Sequence, residues 1–203
     1  MIWLYRLLRA VILLLVLGGI ALAVTLGYTA DCQPFEPPPT GVETQRAVVY
    51  NCYGPPEVLQ YTTIEKPSPG ADEILIKVEV ASVNPLDWHY MRGSPYIMRL
   101  MAGIGRPKDE SFGVDFAGTV ETVGSAVTEY KPGDNVFGTT GGAFGEYVVM
   151  RESRAVTHMP APADFEQAAG VPVAAVTALQ ALRDAGELKP GQQVLINGAS
   201  GGV

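Results

Sequence analysis

The chain has 203 residues, 47% of them hydrophobic and 17% charged, with a formal net charge of −7. That composition excludes a disordered polar tail. A balance of 14 basic to 21 acidic side chains excludes a nucleic-acid groove, which needs clustered Lys and Arg. Two cysteines are too few for a disulfide-rich scaffold or a four-cysteine zinc lobe.

Residues 10–30 carry no charge and are dense in Leu, Val and Ile. Twenty-one residues at ~1.5 Å each span ~30 Å, the hydrocarbon thickness of a bilayer. Arg6 and Arg9 precede the run, with Trp3 and Tyr5 as interfacial aromatics, and Asp31 and Glu36 follow it. The reading is a single membrane anchor over 10–30 after a flanking segment over 1–9. The excess of Arg on the N-terminal side puts the rest of the chain across the membrane from the cytoplasm. A cleaved signal peptide with Ala21-x-Ala23 at its cleavage site is the alternative, although the apolar run continues past it through Val24, Leu26 and Tyr28. Residues 31–44 include QPFEPPPT and read as a stiff, proline-rich linker.

From Gln45 the chain turns to short strands punctuated by Gly and Pro. Strands are predicted at 46–50, 116–123, 135–137, 145–150 and 154–158. Another is predicted where Ile74, Ile76, Val78 and Val80 alternate with Leu75, Lys77, Glu79 and Ala81. Strands so spaced suggest a small barrel or sandwich. Near Asp164 the period becomes helical: Asp164 is an N-cap with Gln167 three residues on, Pro172 interrupts, and 173–184 reads as a second helix ended by Gly186. A short apolar strand is predicted at 193–197, followed by Gly198-Ala199-Ser200-Gly201-Gly202-Val203. A strand running into a glycine turn opens a dinucleotide-binding unit, because glycines let backbone N–H groups approach a pyrophosphate. An ordinary β-turn has the same local pattern.

Several segments in order carry a more specific signal: AVVYNCYGPPEVL, VEVASVNPLDWHYMRG, FGVDFAGTVETVG, KPGDNVFG, GAFGEYVV, GVPVAAVTALQALRDAG and VLINGASGGV. From about Arg46 to Val203 the chain resembles the zinc-free quinone oxidoreductase branch of the medium-chain dehydrogenase/reductase superfamily. The resemblance implies an α/β chain. A GroES-like β-rich domain occupies 45–163, and 164–203 hold the crossover helices and the opening βα segment of a Rossmann domain that is cut short. Met is absent between Met1 and Met91, so residues 1–44 read as an addition to the family pattern.

By the same resemblance the implied activity is NAD(P)H-dependent hydride transfer to a small-molecule quinone or α,β-unsaturated carbonyl. NADP is the weakly favoured cofactor over NAD, and the full-length protein is allowed a homodimer. Asn84, Asp87 and His89 are the implied catalytic residues, Asn84 as an amide donor and His89 as a proton donor where relatives often carry Tyr. Asn84, Thr177, Gln180, Ala199, Ser200, Gly201, Gly202 and Val203 are the implied cofactor contacts. The alternative for the 84–89 stretch is a polar loop in which Asn84 caps a turn and Asp87 holds backbone N–H groups. Trp88 and Tyr90 are either cleft walls or core.

No catalytic zinc is expected. Its ligands would fall at Asn84–Asp87 and at Val114 and Asp115, and Val114 cannot bind a metal. Cys52 reads as a turn residue; a Cys32–Cys52 disulfide needs an oxidising compartment, and the spacing alone does not establish it. A chain with only one strand and a phosphate turn is not expected to turn over by itself. The alternatives to the oxidoreductase reading are an anchored, non-catalytic GroES-like binding module and a zinc-dependent alcohol dehydrogenase. The charge rule also sets a conflict, because it places the domain where nicotinamide cofactors are scarce.

Overall fold

The computed structural model describes residues 2–203. Helix α1 (Ile2–Gly27) is apolar apart from Arg6, Arg9 and Thr25 and exposed along nearly its whole length. It begins eight residues before the apolar run predicted from charge, so Arg6 and Arg9 lie within it. The Arg9 guanidinium stacks 4.2 Å over the Tyr5 ring and donates to its hydroxyl at 2.6 Å, one helical turn away. That pairing lets the charged end of a long side chain be carried on a helix otherwise suited to lipid.

The body is β-rich. Strands β1 (Thr44–Val49) and β2 (Gln60–Glu65) form an antiparallel pair. Strands β3 (Glu73–Ser82), β4 (Asp115–Val123), β5 (Asn135–Thr139), β6 (Tyr147–Arg151) and β7 (Val156–His158) form an antiparallel sheet of order β6-β3-β4-β5-β7. Bridges at Ala47–Gly145 and Val49–Ser111 join the first pair to the rest. All six strands predicted between 46 and 158 land within two residues of observed ones, and the Ile74–Val80 run is the centre of β3. Strand β2 was not expected, because its sequence QYTTIE has no apolar alternation; pairing with β1 holds it extended.

Ile74, Ile76, Phe116, Val120 and Val136 meet in a core closed to solvent. Tyr50, Cys52, Tyr53, Met91 and Phe112 form a second cluster beside it. Two register shifts in the β3–β4 ladder, at Leu75/Ile76 and Val78/Val80, bend the central pair. Gly118 is needed within that ladder, since a Cβ there would stand 2.1 Å from the Lys77 carbonyl oxygen and 3.0 Å from Ile76 Cγ2. Gly118→Ala is expected to prise β3 from β4 and lower stability by about 1–3 kcal/mol. An unchanged denaturant midpoint would contradict this.

Between β3 and β4 run α2 (Pro85–Arg92) and α3 (Arg99–Ala102). The expected loop at 85–89 is therefore a helix. Its reason is visible in hindsight: Asn84 is the N-cap, Pro85 has the φ that a first helical residue needs, and Gly93 ends the helix in the left-handed region at φ 56°. After β7, α4 (Phe165–Ala169) starts at a capping box in which Gln167 N donates to Asp164 Oδ1 at 2.7 Å, as predicted. Ala168 and Ala169 pack on Ala117. A wider π-helical turn over Val171–Ala175 leads into α5 (Val176–Gln180), and a second such turn, Ala181–Ala185, ends at Gly186.

The strand predicted at 193–197 is not formed. Val194, Leu195 and Ile196 are exposed, Leu195 at 95%. A strand of a parallel sheet needs hydrogen-bonded neighbours and helices on both faces. Among the described residues none lies beside this segment.

The linker is more closely tied to the domain than a spacer would be. Cys32 and Cys52 are disulfide-bonded with Cα atoms 4.9 Å apart. Gln33 and Asn51 exchange two hydrogen bonds, Gln33 N to Asn51 Oδ1 at 3.1 Å and Asn51 Nδ2 to the Gln33 carbonyl at 2.8 Å.

Candidate functional site

The foot of α2 holds a part-buried polar network against the first residue of β4. Asn84 occupies its centre. The Asn84 backbone N–H donates to Asp87 Oδ2 at 2.8 Å, and Leu86 N–H donates to Asn84 Oδ1 at 2.8 Å. With Oδ1 committed as a cap acceptor, the Asn84 amide nitrogen faces Asp115 and donates to its Oδ2 at 3.1 Å. The same Asp115 oxygen accepts from Val173 N–H at 3.2 Å, and the Val173 carbonyl accepts from the Thr177 hydroxyl at 2.6 Å. A continuous run of hydrogen bonds thus joins the start of α2, the first residue of β4 and the crossover helix.

Asp87 and Asp115 are 3% and 1% exposed. Burial pushes both carboxyls above the usual carboxylate range, and the Asp115 charge raises Asp87 further. Backbone N–H groups at Asn84 and Val173 pull in the opposite direction, as does the Thr139 hydroxyl on Asp115, without overcoming burial. Asp87 Oδ1 and Asp115 Oδ1 are buried without a hydrogen-bond partner of standard geometry.

Beside this network lies a cavity of about 470 Å³. Tyr50, Tyr90, Met98, Met101 and Phe112 form its apolar walls, and Asp87 and Thr139 are among its polar lining. Tyr50 packs edge-on to Phe112, and burial holds its phenol protonated well above the ordinary tyrosine range. A neutral O–H at a cavity wall can donate to an oxygen that gains charge. Tyr50 carried no functional expectation from sequence, because an aromatic at a strand end reads as core. Tyr90 resolves as a wall of this cavity. Trp88 instead lines a separate shallow groove with Arg92 and Tyr96.

The remaining sequence-named residues divide between those the fold brings to this region and those it does not. Gly202 lies against the foot of α2: a Cβ there would be 2.4 Å from Pro85 Cδ, so only glycine allows the 198–202 turn to approach so closely. The turn is closed by Gly201 N–H donating to the Gly198 carbonyl at 2.8 Å, with Gly198 at φ +76°. Ala199, Ser200 and Val203 are exposed on it. Thr177 is exposed at its surface but anchored to the network through Val173, whereas Gln180 is exposed without a contact to it. His89 is not brought to the cavity. It lies on α2 with Nδ1 2.6 Å from the Ser94 carbonyl oxygen, which fixes the Nδ1–H tautomer, and its ring packs edge-on to Trp88 at 4.8 Å.

Among the described residues no three His, Cys, Asp or Glu side chains gather as a metal would require. Both cysteines are disulfide-bonded.

Residues 70–161 match the model of the alcohol dehydrogenase GroES-like domain. The quinone oxidoreductase of Pseudomonas aeruginosa is 36% identical over 160 residues, covering 78% of this chain and 46% of that protein. These matches support a place in the quinone oxidoreductase-like branch of the medium-chain dehydrogenase/reductase superfamily. Solved quinone oxidoreductases superpose on part of it. The quinone oxidoreductase from Coxiella burnetii aligns with a TM-score of 0.65 at 32% identity, over 73% of this chain and 47% of that one. The Escherichia coli quinone oxidoreductase complexed with NADPH aligns with a TM-score of 0.62 at 29% identity, over 73% and 43%. The chain therefore spans about half the length of the relatives it matches. Within the β-rich body between the apolar helix and the crossover helices, residues 70–161 are the part that matches the GroES-like domain.

Proposed function

We propose that the protein is a membrane-anchored, NAD(P)H-dependent oxidoreductase that transfers hydride to a quinone or an α,β-unsaturated carbonyl without zinc. The observation that carries this reading is the pairing of an apolar, aromatic-walled cavity with the Asn84–Asp87–Asp115 network and the glycine turn lodged against Pro85. When bound, the nicotinamide would supply the hydride. Asn84, Thr177 and the backbone of 199–203 are the residues here that fit it, because Gly202 leaves a backbone path to the foot of α2 that any side chain would close.

The protein's own groups have separable tasks. Asp87 and Asp115 orient Asn84 from two sides, one through its backbone and one through its amide, so its position is set before any ligand arrives. Tyr50 is placed to donate to the acceptor oxygen as it becomes an oxyanion, which is the need of a quinone or enone carbonyl. Met98, Met101 and Phe112 give the cavity an apolar lining that suits a flat ring. His89 is left out of this assignment, its ring being engaged with Ser94 and Trp88. The absence of zinc chemistry is supported by the donor set, in which Val114 and two disulfide-bonded cysteines offer nothing to a metal.

The anchor reading rests on α1, which is apolar and long enough to cross a bilayer over Trp3–Gly27. A Cys32–Cys52 disulfide suits an oxidising compartment, which supports the orientation drawn from the charge bias. The test is NADPH and NADH oxidation by the full-length gene product in detergent, against a panel of quinones and enones. Acceptor-dependent oxidation that falls at least tenfold in Tyr50→Phe is the expected result. No consumption of either cofactor with any acceptor would sink the proposal.

A further inference from the structure

The end of α1 does not hang free of the domain. Leu26 is buried, and Ala30 N–H donates to the Gly105 carbonyl at 2.8 Å. Arg99 Nη1 donates to the Leu26 carbonyl at 3.0 Å, the Tyr28 carbonyl at 2.7 Å and Thr29 Oγ1 at 3.1 Å. Tyr96 packs at Gly27, and the Tyr28 ring packs at Gly105. The helix therefore meets the domain at the α3 region rather than through a long tether, and whatever surrounds the helix end also surrounds that region.

The chemistry of this surface is unlike the rest of the domain. Tyr28, Tyr96, Ile97, Leu100, Met101 and Ile104 are all exposed, Met101 at 84%. Tyr96 and Tyr28 bring this group to the end of α1, through their contacts at Gly27 and Gly105. Residues 88–108 hold Arg92, Arg99, Arg106 and Lys108 and no Asp or Glu, in a chain whose net charge is −7. Arg92, Arg106 and Lys108 are exposed. An apolar patch with basic residues around it, contiguous with a lipid-suited helix, matches the headgroup and upper acyl region of an anionic bilayer.

We propose that the 96–108 segment and Tyr28 lie in the interface of an anionic phospholipid bilayer, so that the cavity takes its acceptor from the membrane. This rests on the anchor reading of α1. Met98, Met101 and Ala102 belong to the same segment and form one wall of the cavity. An acceptor dissolved in lipid would then pass from the acyl region along Met101 into the site without crossing water. The substrate class follows: a quinone or enone with a long apolar tail, held by the bilayer while its ring enters.

The test places one nitroxide at a time on the intact chain in vesicles of phosphatidylcholine and phosphatidylglycerol. The native disulfide leaves each introduced cysteine as the free thiol. Labels at Ile97→Cys and Ile104→Cys report the proposed interface. A label at Leu14→Cys reports the anchor. A label at Glu129→Cys, beyond the end of β4 opposite Asp115, reports water. Collision rates with oxygen and with a water-soluble nickel chelate are compared. The expected result is an oxygen-to-nickel ratio several-fold higher at 97 and 104 than at 129, dropping in vesicles without phosphatidylglycerol or in the Arg106→Glu/Lys108→Glu variant. Labels at 97 and 104 as open to nickel as 129, with 14 still in lipid, would overturn the interface while leaving the anchor standing. A label at 14 open to nickel would overturn the anchor and the interface together.

Discussion

Arg99→Met is expected to destabilise the protein by about 3 kcal/mol or more, the largest single-site loss anticipated here. Arg99 is 3% exposed and carries no carboxylate partner among the described residues. Its charge is instead met by oxygens: Nε donates to the Gly93 carbonyl at 2.9 Å, Nη2 to the Arg92 carbonyl at 3.2 Å, and Nη1 to the three oxygens at the end of α1. The guanidinium also lies between the Tyr53 and Tyr96 rings, 4.5 and 4.6 Å from their centroids. Methionine fills much of the volume but leaves all five oxygens without their donor, those of Gly93 and Leu26 in a buried setting. Hydrogen bonds to charged groups contribute about 1.5–3 kcal/mol each before the cost of burying the charge is subtracted. Arg99→Lys keeps the charge but lacks the planar fork, so it reaches fewer of the five oxygens and should fall between wild type and Met. Denaturant titration in detergent reads the effect, and a Met variant with the wild-type midpoint would show that the carbonyls find other partners.

Asn84→Asp should be less stable than Asn84→Ala at pH 8, and the order should reverse on acidification to about pH 5. Either change removes the donor to Asp115 Oδ2. Alanine also loses the cap on Leu86 N–H, a loss of about 1 kcal/mol. Aspartate keeps the cap but sets a third carboxylate against Asp87 and Asp115, both already pushed above the usual range by burial. A raised carboxyl binds its proton more tightly in the folded protein than in the unfolded one. Its contribution is thus present at low pH and lost as pH rises from the ordinary carboxylate value near 4 through the raised folded value. The third acid steepens that loss. Asp134 works in the opposite direction and in a lower window, since Lys131 and His158 hold it down to about 2 and its contribution disappears only as pH falls toward that value. Parallel midpoint-versus-pH curves for the two Asn84 variants would contradict the coupling.

What could be read along the chain shares one physical property: a near neighbour in sequence supplies the signal. The period-two run of β3 and the Asp164–Gln167 box are of this kind, and both were found where expected. Asn84 with Asp87 is the same box written over a proline, and it was weighed as a turn because its helix carries few apolar residues to show a face. The ordered family motifs went further, since they carry the record of a fold that no local rule contains. They identified the GroES-like domain and named Asn84, Thr177 and the glycine turn without saying how these meet.

Sequence by itself determined the apolar helix, the acidic domain with short strands, the capping boxes and the family, because each depends on composition, on local spacing or on a long ordered match. Tertiary structure alone decided four things. β2 is a strand because β1 pairs with it. Cys32 reaches Cys52 because the linker folds back. Asp115 orients Asn84 because β4 begins beside the foot of α2. Residues 193–197 stay exposed because a parallel strand is stabilised by neighbours rather than by its own residues. Arg99 shows the reason most sharply: nothing in its sequence surroundings distinguishes it from the exposed Arg92, yet it is buried, because oxygens from residues as distant as Leu26 converge on its guanidinium only once the chain has folded.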